Sequence, residues 1–290
     1  MATAVTQPVD RQVAVRGLQI HVRHWAGAGR PFVLVHGLAS NCMTWEGAAR
    51  LLAAAGHQVV TVDQRGHGLS SKPDTGYGFD DVTADLQELI AALDLTSPVI
   101  AGQSWGGNVV LDFAARHPEV IAAIALVDGG YIDLQSMPGA TWEVVEAMLR
   151  PPALTGTPRV DMEARMRGYH ADWLEEGIQH SLANFETLPD GTIRPWLTLD
   201  RHLQILRALW DQRVADIYPK VQAATLIMAA DSGPSEWQDR KRDEVAVAER
   251  LLPVSRVAWF ENTDHDIHVQ RPQETANLLL NALKDGFFRG

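Results

Sequence analysis

Apolar and polar positions follow two different periods along this chain. Short apolar runs bounded by turn residues, RQVAV (11–15), LQIHVRHW (18–25), PFVLVHG (31–37), HQVVTVD (57–63), PVIAGQS (98–104) and VIAAIALVD (120–128), read as strands. Between them the period lengthens. In FDDVTADLQELIAALDL, Val82, Leu86, Leu89 and Leu93 recur on one helical face, and WGGNVVLDFAARHP reads as a helix ended by Pro118. Near the C-terminus, TLIMAAD and SRVAWFEN supply two more strands, and Pro272 opens a last helix, QETANLLLNALK. Strands alternating with helices in this way predict an α/β fold, a mostly parallel eight-stranded sheet covered on both sides.

The pattern changes between residues 131 and 216, where no strong strand signal occurs. TWEVVEAMLR precedes the breaker Pro151-Pro152, and LTLDRHLQILRALWD carries Leu199, Leu203, Leu206 and Trp210 at helical spacing. This region is expected to be a helical insertion, dividing a core of residues 1–130 and 217–290. Trp142, Met148, Met162, Met166, Tyr169, Trp173, Phe185, Trp196 and Trp210 make it rich in aromatic and thioether side chains. Any one of them is more simply explained by packing than by ligand contact.

Composition narrows the function. A chain of 290 residues, 46% hydrophobic, can bury a full core. Its formal charge of −11 argues against nucleic acid or an anionic membrane surface as partner, so a small molecule is expected, with the protein a monomer or homodimer. Cys42 is the sole cysteine, so no intramolecular disulfide can form. MATAVTQPVDR lacks the apolar run of a signal peptide, and stretches such as VIAAIALV are too short to span a bilayer, so the expected location is cytoplasmic.

The candidate chemistry lies in AGQSWGGNVV (101–110). Gly102, Ser104 and Gly106 spell GxSxG, which holds a serine on a tight strand-to-helix turn with its hydroxyl projecting. A serine needs a base to take its proton. Among eleven histidines His265 is the best placed, after a strand and a polar turn, with His268 as its nearest rival. No metal is expected: His265 with His268, or His21 with His24, gives a pair without a third ligand at a plausible spacing. RGHGLSS lacks the GxGxxG of a dinucleotide site, and no cofactor is expected.

With VLVHGLAS (33–40), VDQRGHGLS (62–70) and DHDIHVQRP (264–272) added to GxSxG, four motifs in order, the chain resembles the α/β-hydrolase superfamily over nearly its whole length. The resemblance implies a serine hydrolase whose insertion is a helical cap, acting on an ester-like bond, with Ser104 as nucleophile and His265 as base. It implies an oxyanion hole from the backbone N–H groups of Leu38 and Trp105. It leaves two candidates for the triad acid. Most members place that acid just past the next-to-last strand, a position that falls near Gly233, so Asp231 would serve only if its loop bends back. Some haloalkane dehalogenases place it at the end of the strand after the nucleophile helix, which here is Asp128. Asp128 is favoured because neighbouring parallel strands end on the same edge. Carbon–carbon hydrolases, aminopeptidases and slow-turnover receptors share the framework, and an aminopeptidase would need a cap carboxylate such as Glu175 or Glu176 for the substrate amine.

Overall fold

A computed structural model describes residues 7–288. Strands β1 (Val9–Val15) and β2 (Leu18–Trp25) form a hairpin, followed by β3 (Gly29–Val35), α1 (Glu46–Ala54), β4 (His57–Val62), α2 (Phe79–Ala92), β5 (Val99–Gln103), α3 (Trp105–Arg116) and β6 (Ala123–Val127). Then come α4 (Trp142–Leu149), β7 (Thr157–Pro158), α5 (Arg159–Tyr169), α6 (Glu175–Leu182), β8 (Phe185–Thr187), β9 (Thr192–Pro195) and α7 (Leu199–Asp211). The chain closes with β10 (Ala224–Asp231), α8 (Glu236–Leu251), β11 (Ser255–Glu261), α9 (Ile267–Gln270) and α10 (Pro272–Lys284).

The eight expected strands form one sheet in the order β1-β2-β4-β3-β5-β6-β10-β11. Only β2 runs against the others, pairing antiparallel with β1 and β4. Every residue of β5 and β6 is buried, as a strand covered on both faces requires. On one face α1 and α10 pack Leu52, Ala48 and Leu279 against Phe32, Leu34 and Met228. On the other, α2, α3 and α8 place Leu86, Val110 and Val245 against Val33, Ile100 and Ile227. Strand order reverses between β3 and β5, so the loops leaving their C-terminal ends open a crevice there.

At that crevice backbones approach closely enough to dictate glycine. A Cβ on Gly102 would lie 2.2 Å from the Gly106 carbonyl oxygen, and one on Gly106 would lie 2.4 Å from that of His36. Side chains at these positions would push β5, α3 and β3 apart, and the turn holding Ser104 with them.

Residues 131–216 add no strand to the main sheet, but they are not all helical. β7, β9 and β8 form a small antiparallel sheet, with Thr157 opposite Ile193 and Phe185 opposite Pro195. Strands of two to four residues, two of them ending in proline, are too short to show alternation in the sequence. The expected helices α4 and α7 are present, and Ile193, Leu182, Ile178 and Met162 form a separate apolar cluster with Trp173. Among the described residues no helix is long and apolar enough to cross a membrane.

Gly106→Ala should therefore lower the melting temperature through overpacking of about 1–3 kcal/mol. Gly168→Ala, on the exposed face of α5 with nothing within 4 Å of the added carbon, should raise it slightly through helix propensity. Thermal denaturation of both variants checks the contrast.

Candidate active site

Ser104 sits between β5 and α3 with φ 53° and ψ −126°, a conformation that L-residues avoid. Three contacts impose it. The Ser104 N–H donates to Val127 O of β6 (3.0 Å), its carbonyl accepts from Gly107 N (2.8 Å), and Gly129 crosses it so closely that a Cβ there would lie 2.1 Å from the Ser104 carbonyl oxygen. The side chain lines a cavity of about 290 Å³, which Asp128, His265, Leu38 and Trp105 also line.

Asp128 directly follows β6 with its carboxylate buried, and a buried charge requires donors. Oδ2 lies 2.7 Å from His265 Nδ1 and accepts from Lys241 Nζ (2.9 Å). Oδ1 accepts from the Tyr131 hydroxyl (2.5 Å), the Ala230 N–H (2.9 Å) and Lys241 Nζ (3.0 Å). Burial alone would raise the Asp128 pKa. The hydrogen bond and charge of His265, the charge of Lys241 and the Tyr131 hydroxyl overcome it and hold the carboxyl at about 2.

An ionised carboxylate fixes the imidazole tautomer: Nδ1 donates, leaving Nε2 as the basic nitrogen. The His265 side chain is about half exposed and lines the cavity. Burial pulls its pKa down, but the hydrogen bond and charge of Asp128 outweigh that and raise it above 6.5. Gln103, next to Ser104, donates through Nε2 to the His265 carbonyl (3.3 Å), tying the histidine loop to the serine turn.

The other candidates lie elsewhere. Asp231 accepts from the Gly233 N–H (3.0 Å) and pairs with Arg242 at a separate surface pocket, without contact to His265. Its loop does not bend back. His268 is fully buried against Trp45, ring centroids 4.4 Å apart, and touches neither Asp128 nor Ser104. Burial holds it neutral, its pKa near 3. Leu38 and Trp105 each present an N–H that donates to no protein group among the described residues, beside the cavity that Ser104 lines.

Several side chains escaped the sequence reading. Tyr131 and Lys241 carry no motif, Gln103 fills a variable position of GxSxG, and only the fold brings Lys241 from α8 onto Asp128. None of the expected cap aromatics or methionines lines this cavity: Trp142 packs edge-on to Trp210 (6.3 Å), Met162, Met166, Trp173 and Phe185 cluster together, Trp196 lies under Lys72 and lines a second cavity with Phe185, and Tyr169 and Met148 are exposed. The cap instead lines the cavity with Ile132, Leu134, Leu149, Leu206, Leu209 and His202. Glu175 and Glu176 lie outside it, paired with Arg167 and Arg50. His21 does acquire further candidate metal ligands, since Cys42 and Asp63 come within 4.8 Å of it. Asp63, however, is occupied by the N–H groups of Cys42 (2.7 Å) and Leu69 (2.9 Å) and by His21 Nδ1 (2.8 Å), and burial raises the Cys42 thiol pKa. The cluster is a hydrogen-bonded anchor for the RGHG loop.

A fold of this topology with a strained serine at the β5–α3 turn defines a class, and the chain belongs to it: residues 30–234 match the family model of the alpha/beta hydrolase fold. The chain is 25% identical, over 94% of each protein, to the 2-(acetamidomethylene)succinate hydrolase of Mesorhizobium japonicum. It is 29% identical to the N-formylmaleamate deformylase of Pseudomonas putida, over 88% of this chain and 89% of that protein. A 35% match to a non-heme chloroperoxidase of Kitasatospora aureofaciens spans only 35% of this chain and 36% of that one. The crystal structure of E-2-(acetamidomethylene)succinate hydrolase superposes with a TM-score of 0.81 at 24% identity, covering 96% of this chain and 99% of the other, a likeness of fold.

The Asp128–His265 contact is testable without substrate. Removing the carboxylate charge takes away the two largest raising influences and leaves burial and Lys241, which lower the imidazole pKa, opposed only by the charge of Asp266. Histidine proton NMR titration should place His265 above 6.5 in the native protein and below it in Asp128→Asn, with no change in Asp231→Asn.

Proposed function

We propose that this protein is a serine hydrolase that cleaves an ester-like bond, a carboxylic ester or lactone, of a small, largely apolar substrate through an acyl-enzyme. Ser104 Oγ attacks the carbonyl carbon while His265 Nε2 takes its proton. Asp128 keeps His265 in the required tautomer and stabilises the imidazolium, and the Leu38 and Trp105 N–H groups hold the tetrahedral oxyanion. Collapse expels the alcohol, which leaves with the proton from His265. Water then attacks the acyl-enzyme by the same route, releasing the acid and restoring Ser104.

The observation that carries this reading is the 2.7 Å contact between His265 Nδ1 and buried Asp128, in the cavity that the strained Ser104 lines. Residues 131–216 serve as the cap over a core of 1–130 and 217–290, and their leucines dry the site, which strengthens every charge interaction inside it. Two relatives matched along most of their length are by name a hydrolase and a deformylase, which supports transfer of an acyl group to water. The mechanism uses no cofactor or metal, and we assign the protein to the cytoplasm.

Ser104→Ala should abolish hydrolysis of nitrophenyl esters with unchanged circular dichroism. Asp128→Asn should cost up to about 10⁴ in turnover, the size of a wrong-tautomer defect, while Asp231→Asn keeps its rate. Since the neutral imidazole is the base and its pKa lies above 6.5, native activity should rise with pH through a limb above that value. A panel of esters, lactones, amino-acid amides and vinylogous diketones fixes the bond class. Undiminished ester hydrolysis by Ser104→Ala would reject the assignment.

A further inference from the structure

The cavity has two unlike walls. Leu134, Leu149, Leu206 and Leu209 make one side apolar. The other is a single face of α8, where Trp237, Arg240, Lys241 and Glu244 recur at i, i+3, i+4 and i+7. Lys241 spends its charge on Asp128. Among the described residues Arg240 is paired only with Glu244, and only through its Nε. Its guanidinium lies over the Trp237 ring at 4.1 Å, and its terminal amino groups donate to no protein group among the described residues. Its Nε is 3.1 Å from Glu244 Oε1 but out of line for a hydrogen bond, so that buried N–H stays unsatisfied. Burial, helped by the charge of Asp133, pushes the Glu244 carboxyl up to about 7 against the pull of Arg240 and Ser136. Glu244 is therefore a weak counter-ion.

We propose that Arg240 receives a carboxylate of the substrate, so that the site takes an ester-like molecule with an apolar body and one free carboxylate remote from the scissile bond, and that Glu244 competes for the same guanidinium. The proposal rests on this cavity being the reacting site. A planar fork stacked on an aromatic ring matches a carboxylate in two parallel hydrogen bonds and loses little freedom in making them. One guanidinium with open terminal amino groups suits a single negative charge, whereas a phosphate dianion would call for more. A substrate amine would instead be repelled by the Arg240 guanidinium.

Calorimetry with the Ser104→Ala protein tests this without turnover, using monomethyl glutarate and its neutral isostere dimethyl glutarate at about pH 8, above the Glu244 titration. Ser104→Ala should bind the acid ester at least about tenfold more tightly, the effect of one charge-assisted contact. Adding Arg240→Gln should bring the ratio close to one, Arg240→Lys should keep part of it, and Glu244→Gln should widen it by removing the competitor. Circular dichroism establishes that each variant folds, and Glu244→Gln tests the same guanidinium should Arg240→Gln fail to fold. Equal affinity for the two esters, a ratio unmoved by Arg240→Gln, a ratio narrowed by Glu244→Gln, or preference for an amino ester of equal length would overturn the proposal. A protein that binds the acid ester by this pattern yet cleaves no ester would keep the carboxylate site and lose the hydrolase reading.

Discussion

A carboxylate taken out of water must find donors on every side, and at Asp128 that demand organises the rim of the sheet. Its five contacts come from four places: the turn after β6, the end of β10, the first half of α8 and the loop before α9. The Ala230 N–H and the Asp128 N–H, which donates to Met228 O at 2.8 Å, lace β6 to β10 from both directions. The carboxylate is thus a structural node as well as a catalytic candidate. Leaving either Lys241 or Asp128 without the other would strand a desolvated charge, which is more costly than losing an ordinary hydrogen bond.

The same rim stores strain beside that node. Ser104 keeps its unfavourable backbone because β6, α3 and the Gly129 turn close on it from three sides, and because Asn108 holds the turn, accepting from Gly130 N at 2.8 Å. A rigid scaffold meets the cost of one strained residue, and the gain is a hydroxyl projecting into a cavity with two N–H groups beside it. Flexibility at this position would blur the distances on which proton transfer depends.

Most of this architecture can be read from the sequence because it is local. GxSxG, the HG turn and the order of strands are contiguous signals, and close backbone approach explains Gly102 and Gly106 before any coordinates are known. The cap's small sheet is not legible, because strands as short as Thr157–Pro158 gain their stability from β9 and not from their own periodicity. The choice between Asp128 and Asp231 is also hidden: each ends a parallel strand, and which one meets the imidazole depends on loop paths between distant segments. Lys241 and Arg240 lie in a run of mixed charge that carries no motif, and only the docking of α8 turns them toward the cavity.

The position of the acid bears on the chemistry of the cavity in a way neither residue reveals alone. With Asp128 facing His265 from β6, Asp231 at the end of β10 is free to pair outward with Arg242, and the segment after it runs straight into α8. That helix then lies over the carboxylate and neutralises it with Lys241. Helical geometry does the rest, since a residue that reaches Asp128 brings its neighbours at i−1, i−4 and i+3 to the same cavity wall. The arginine, the tryptophan beneath it and the carboxyl beside it follow from seating the lysine. A largely apolar cavity thus acquires one charged wall as a geometric consequence of how its buried acid is held.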